Sequence, residues 1–351
     1  MTAVLPRPAA AASAGHRPEG VWRAAWKRLR ADRVGIASLG VVLVFVLLIV
    51  LSAAHMVARD WQKEVGVPSA PPSFMGPAPK VESTAIPVPK GPNVDISAVD
   101  PLAPRYKEWD ERAAQYKTTE TVKHETLPFG GDRLGRDVID KAVKGTQTSV
   151  FVGLLGAIVA TLIGTVLGAL AGFFGRRVGD FLEWLYSVFT AIPDILLILS
   201  FAVIFGRGIG SVAMILALVG WTGLYRQVRA EFLKHSVRDY VRSAEAIGAS
   251  TASRMFRHIL PNVSHVILVR MSLLVVAFIK FEVILSYLGL GVGVDDVSWG
   301  TMLAEAQTEL ILGHWWQLVA ATAFMAVFVT AFSLFTDALR DALDPKLRGL
   351  E

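Results

Sequence analysis

The sequence predicts an all-α polytopic membrane protein of six transmembrane helices, with a long Pro-rich extracytoplasmic insertion after the first helix. Three observations carry that reading. The chain is 53% apolar and 19% charged over 351 residues, with a mean hydropathy of +0.48, too apolar for a surface that meets only water. Its apolar residues gather into stretches of roughly 20, the length a helix rising about 1.5 Å per residue needs to cross ~30 Å of hydrocarbon. Its basic residues flank those stretches unevenly. The absence of cysteine excludes disulfides, thiol nucleophiles and Cys-based zinc or iron–sulfur sites, and seven scattered His mark no metal site. The net charge of +5 is no nucleic-acid footprint, because Lys and Arg sit beside apolar runs instead of forming a stripe.

Residues 1–33 read as a cytosolic tail. The first 20 are Ala, Pro and Gly with three basic groups and no signal-peptide core, so no cleavage is expected. Over 21–33, Trp22, Trp26 and Leu29 recur at helical spacing among Arg23, Lys27, Arg28 and Arg30. That suits a helix lying in the cytosolic headgroups, or a plain basic flank. Residues 34–57 form the first span, and 58–148 then lie outside. Ten of the 17 prolines fall between 68 and 104, where missing amide donors and fixed φ angles defeat helix and sheet, so an extended, poorly packed arm is expected across 66–104. A short solvated helix should follow over 105–120. The 13 basic and 13 acidic residues of 58–148 make it a neutral spacer, with partner docking as the alternative.

The core, 149–336, holds five more spans: 149–174, 181–206, 211–225, 263–288 and 315–336. In the second span Gly156, Ala160, Gly164, Gly168 and Gly172 recur at i+4, a stripe on which a helix of this chain or another subunit can approach closely. Pro193 interrupts the third, and Asp194 follows it. The short stretch 211–225 must cross, because otherwise the seven Lys and Arg of 226–261 would lie outside. The loops 175–180 and 226–261 are basic, whereas 207 is a lone Arg in its turn and 289–314 has none, which puts both termini, including the tail 337–351, in the cytosol. Charges near mid-membrane face a bundle interior, a partner or a wet path, so Asp194, Arg270, Lys280 and Glu282 are candidates for interhelix anchors or a conduit lining. At about 100° per residue Lys280 and Glu282 point ~200° apart, so they should not pair.

The cytosolic loop 226–262 reads as helix, glycine, helix. Tyr240, Val241, Ala244 and Ile247 give apolar spacing up to Gly248, and Ala249, Met255, Phe256 and Ile259 continue to Pro261. Gly248 lets the chain turn, while Ala249 and Ser250 keep the corner slim. A compact basic hairpin of this kind suits insertion into a soluble partner.

The run DYVRSAEAIGASTASRMFRHILPN (239–262) resembles the coupling loop, or EAA loop, of bacterial ATP-binding-cassette importer permeases of the oligopeptide, dipeptide and nickel class. LPFGGDRLGRDV (127–138), EVILSYLGLGVGVDDVSWGTML (282–303), LRDALDPKLRG (339–349) and WKRLRADRVG (26–35) are similar to other stretches of that family in the same order. The resemblance implies the type I importer permease fold in a bacterial plasma (inner) membrane. It implies a homologous second permease, two cytosolic ATP-binding subunits carrying ATP and Mg, and an extracytoplasmic substrate-binding protein. Tyr240, Ala244, Glu245, Gly248, Ala249, Ser250, Arg254, Arg257, His258 and Pro261 would form the ATPase-coupling loop. Arg254, Arg257 and His258 would touch the ATPase or lipid headgroups, or form a solvated basic face. Asp295, Asp296, Trp299 and Glu305 would dock the binding protein, with Glu309 nearby. Two departures stand out: Arg242 and Ser243 replace the head of the usual Glu-Ala-Ala triplet, with Glu245 as a substitute acid, and Asp295–Asp296 stands where paired prolines are common.

No glycine cluster is followed by Gly-Lys-Ser/Thr, so the chain is no ATPase; neither a catalytic residue, a metal site nor a cofactor of its own is expected. Peptide import by an ATP-driven machine is the implied function. The same machine with a nickel chelate, glutathione or a peptide antibiotic as cargo is one alternative. An ion-gradient carrier using Asp194, Lys280 and Glu282 is another, and a membrane enzyme is disfavoured because no catalytic spacing occurs.

Overall fold

The computed structural model describes residues 21–77, 100–115 and 123–343; the first twenty residues, much of the Pro-rich stretch (78–99), 116–122 and the tail beyond 343 lie outside the described residues. The chain divides into a helical unit, Met1–Arg59 with Asp140–Glu351, and a smaller unit, Asp60–Ile139. Among the described residues there are helices and three isolated backbone bridges but no strand.

The helical unit begins with α1, Val21–Ala31, and α2, Arg33–Ala53. They part at Asp32, whose carboxylate caps α2 by accepting the Val34 N–H at 2.9 Å. Leu29 of α1 does not face headgroups: it is buried with Ala338, Ala342 and Leu343, while Trp26 stays exposed beneath the Arg30 guanidinium. Helix α4, Val138–Phe174, is 37 residues long, about 55 Å. It starts eleven residues before the expected span, because Lys141, Thr146, Thr148 and Ser149 are buried in this unit instead of hanging in an outer loop.

The third expected span is not one straight helix. α5, Arg176–Thr190, and α6, Asp194–Phe205, meet at a bend of 85°. Pro193 lacks an amide hydrogen and sits at ψ 131, outside the helical range. The fourth is longer than expected: α7, Ile209–Ser236, continues past its apolar part through the charged residues 226–236, which therefore belong to a helix and not to the loop. After α8, Asp239–Ala246, come a π-helical turn, Ser253–Ile259, and α9, Leu260–Tyr287. The region 289–314 is no plain loop but contains α10, Trp299–Ile311, started by a capping box in which Ser298 and Thr301 bond each other's backbone N–H. The unit ends with α11, Trp316–Leu343.

By length and apolarity α2, α4, α7 and α11 can cross a membrane, and α5 with α6 make a fifth if the bent pair is one span. α9 is as long but carries Arg270, Lys280 and Glu282. The core joins Phe45 of α2, Val152 of α4, Ile198 of α6, Ile215 of α7, Ile279 of α9, Trp299 of α10 and Phe328 of α11. Val34, Leu43, Val44, Leu47 and Val50 of α2 are exposed, an apolar outer face that lipid would cover.

The glycine stripe of α4 finds its neighbour in the same chain. A Cβ at Gly164 would lie 2.7 Å from the Trp221 carbonyl oxygen, at Gly168 2.7 Å from that of Tyr225, and at Gly172 2.6 Å from that of Arg229. Three α7 carbonyls four residues apart thus rest on three α4 glycines four residues apart, an approach that no side chain would permit.

In the smaller unit, α3, Tyr106–Gln115, is the expected solvated helix. The described ends of the supposed arm are not loose. Residues 66–72 bridge to 124–127, and the Gly131 N–H donates to Ala70 at 2.8 Å. Buried Asp132 accepts the N–H groups of Leu134 and Arg136 at 2.9 Å each and pairs with the Arg136 guanidinium at 2.6 Å. Glycines 130 and 135 take the positive φ these turns require.

Candidate functional site

The hairpin is built from α8 and the π-helical turn. Its underside is apolar: Val241 of α8, with Met255 and Ile259 of the turn, packs with Ala169 of α4 and Leu224, Val228 and Phe232 of α7, and Ala244 of α8 is buried as well. Burial selects positions three apart on α8, so Val241 and Ala244 point in while Ile247, expected on the same stripe, points out.

Gly248 closes α8 in a left-handed turn at φ +86. Its N–H donates to the Glu245 carbonyl at 2.9 Å and the Ala249 N–H to that of Ala244 at 2.9 Å, the paired bonds of a Schellman ending. Nothing lies within 4 Å of a Cβ placed there, so backbone conformation and not crowding demands glycine. Ser250 starts the next helix by accepting the Ser253 N–H at 3.2 Å. The tip between these caps is Ile247, 86% exposed, followed by Gly248 and Ala249. Phe256, 53% exposed, stands on the following turn.

Several predicted loop residues serve the hairpin itself. Arg254 pairs with Glu245 at 2.6 Å and lies over the Phe173 ring, 5.4 Å from its centroid. Arg254 is therefore an internal clamp between the two arms and α4, and Glu245 is already engaged. Tyr240 Oη lies 2.8 Å from His235 Nδ1. Burial, opposed by the Asn262 hydrogen bond and Arg238, holds the Tyr240 hydroxyl above its ordinary value, so it stays protonated and can donate to the His ring. Arg257 is exposed, His258 is half-buried and Pro261 is exposed at the start of α9. Arg242, at the substituted head of the triplet, is exposed too.

The structure separates the four core charges. Asp194 is exposed at the first turn of α6. Glu282 is fully buried and accepts the Ser286 hydroxyl at 2.6 Å. Lys280 is exposed on α9, and no ion pair joins it to Glu282 among the described residues, as their angular separation predicted. Arg270 is half-buried against Gly223 of α7.

At the other end of α9 the expected docking set is corrected. Asp295 is exposed and Asp296 half-buried. Trp299 is 0% exposed, packed in the core, and Glu309 is buried as well; neither offers a surface. Glu305 is held by Lys141, itself 1% exposed. Gln317 completes the group, its Nε2 donating to Glu305 at 3.0 Å and to the Met302 carbonyl at 3.2 Å. This Lys141–Glu305–Gln317 group ties α4, α10 and α11 together. Sequence reasoning missed it, since residues separated by 164 and 176 positions leave no local signal.

The family described as binding-protein-dependent transport system inner membrane component matches residues 164–349, and that described as the N-terminal TM domain of oligopeptide transport permease C matches residues 20–72. The chain is similar to the dipeptide transport system permease protein DppC of Bacillus subtilis (strain 168), 37% identical over 63% of this chain and 69% of the relative. It is 34% identical to the oligopeptide transport system permease protein OppC of the same organism, over 70% of this chain and 81% of the relative. It is 36% identical to the glutathione transport system permease protein GsiD of Pectobacterium atrosepticum, over 63% of this chain and 73% of the relative.

Proposed function

We propose, from the premise that this chain belongs to the family of binding-protein-dependent transport system inner membrane components, that it is a permease subunit of an ATP-driven importer of di- or oligopeptides. It would form half of the translocation path beside a homologous permease. Two cytosolic subunits, holding ATP and Mg, would drive it, and an extracytoplasmic binding protein would deliver the cargo.

The six crossings of this reading are α2, α4, the bent pair α5 and α6, α7, α9 and α11. Parity supports counting the bent pair as a crossing. Were it to re-enter, α7 would start on the cytosolic side and the Arg-rich hairpin would lie outside, against the charge bias of the short loops. Both termini then lie in the cytosol and the unit Asp60–Ile139 is extracytoplasmic.

One observation carries the coupling role: an apolar tip, Ile247 followed by left-handed Gly248, projects from a hairpin whose underside is packed on α4 and α7. A tip rigidly tied to two spanning helices can pass a push from a soluble motor into the bundle. It shifts the permease only to the extent that the motor holds it differently in its two states. Peptide as cargo rests on the dipeptide and oligopeptide relatives; the glutathione relative makes that small peptide the second cargo to assay.

The test is uptake of labelled di- and oligopeptides into proteoliposomes holding the complete importer. Uptake should need ATP, the ATPase subunits and the binding protein together. Peptide movement through this chain on an ion gradient alone would reject the reading.

A further inference from the structure

α9 presents two cations that the coupling hairpin does not use. Arg270 and Lys280 are ten residues apart, about 15 Å along the helix, and 10 steps of ~100° leave them ~80° apart in azimuth, within one face. Two cavities lie along that face and share Leu273 as their common wall. Arg270 lines one together with Gln227 and Arg340, and Lys280 lines the other together with Thr336.

Both cavities lack a carboxylate, and among the described residues no carboxylate pairs with Arg270 or Lys280. The Arg270 Nε is buried without a hydrogen-bond partner, and so is the hydroxyl of Thr336, a residue only 1% exposed. Room has been made for the guanidinium: a Cβ at Gly223 would lie 2.5 Å from Arg270 Nη2. A charge in a membrane helix is costly unless something solvates or pairs it, and two cations that line cavities holding no carboxylate call for an anion with acceptor oxygens. Guanidinium fits the two oxygens of a carboxylate, while the ammonium of lysine is a mobile point charge.

We propose that Arg270 and Lys280 are two successive stations for the C-terminal carboxylate of the imported peptide. The proposal rests on the peptide-import reading above and adds which part of the cargo the permease itself feels. With the hairpin on the cytosolic side, Lys280 is the outer station and Arg270 the inner one. Two weak sites in series suit a path that must admit a solute and still release it.

The experiment compares a tripeptide with a free C-terminus and the same tripeptide amidated, in proteoliposomes of the complete importer with one binding protein throughout. Any preference set by the binding protein is common to all variants, so the readout is the change in the acid-to-amide uptake ratio. Each ratio is internal to one preparation and is unaffected by how much variant inserts. In R270Q/K280Q the ratio should fall about tenfold, the factor for one charge-assisted hydrogen bond of ~1.5 kcal/mol, and R270K/K280R should restore most of it. An unchanged ratio, or equal slowing of both peptides, overturns the proposal. So does an effect that follows the share of phosphatidylglycerol in the vesicles instead of the peptide's carboxylate, since the stations would then hold a lipid headgroup. Wild-type importer that moves neither peptide rejects the cargo reading itself, and the stations with it; wild-type uptake of both peptides with a ratio insensitive to R270Q/K280Q rejects the stations alone.

Discussion

At Gly248 the chain spends its freedom on one backbone angle. With φ at +86 and no atom within 4 Å of the missing Cβ, a leucine's Cβ there meets open space but its backbone carries a left-handed strain of about 1–2 kcal/mol. Gly248→Leu should therefore insert and fold, yet tilt the tip and cut ATP-driven uptake at least about tenfold, the factor for ~1.4 kcal/mol. Membrane abundance and uptake in the same cells check this; native uptake by the variant would remove the tip from the coupling path. The neighbouring Arg254 illustrates how a motif can mislead. Its guanidinium, bonded to Glu245 and laid on Phe173, braces the hairpin, although the sequence suggested an outward-facing contact.

Among the elements, the seam between α4 and α7 sets backbone on backbone at three successive glycines. Carbonyl oxygens of Trp221, Tyr225 and Arg229 occupy the places of absent side chains at Gly164, Gly168 and Gly172. Gly168→Leu would force the helices apart along the whole seam, at a cost at the upper end of the ~1–3 kcal/mol typical of overpacking. Such a variant should lose detergent-resistant folding by several degrees in a thermal shift assay, while Gly40→Leu, on open helix surface with nothing within 4 Å, should not. Equal melting of the two would discard the seam. The i+4 repeat was visible in the sequence as an interface, but its partner was not, since a stripe of small residues says how near a helix can come and not which helix comes. α10 is the opposite case. Its 13 residues lie in a stretch read as outer loop, and they are helical because Ser298 caps them and because Trp299, Met302 and Ala306 find a buried place beside α9 and α11.

For the whole molecule, the inside-out arrangement is the statement most open to direct measurement. The chain has no cysteine, so single cysteines can be placed without background. Ile247→Cys at the hairpin tip and Asp110→Cys on α3, both exposed positions, should react with a membrane-impermeant maleimide from opposite sides. Labelling of both in intact cells would overturn the topology. Family, helical character and the hairpin were legible in the sequence by itself, because each is written in local terms: apolar runs matched to bilayer thickness, Lys and Arg counts beside them, and a glycine set between two short amphipathic segments. Other features waited for the tertiary structure: the 85° bend at Pro193, the burial of Trp299 and Glu282, the α7 partner of the glycine stripe, and the Lys141–Glu305–Gln317 group. The physical reason is common to them all. Whether a side chain is a surface or a support depends on which distant helix packs against it, and that is fixed by the summed fit of many contacts far apart in the chain, none of which leaves a mark at its own position.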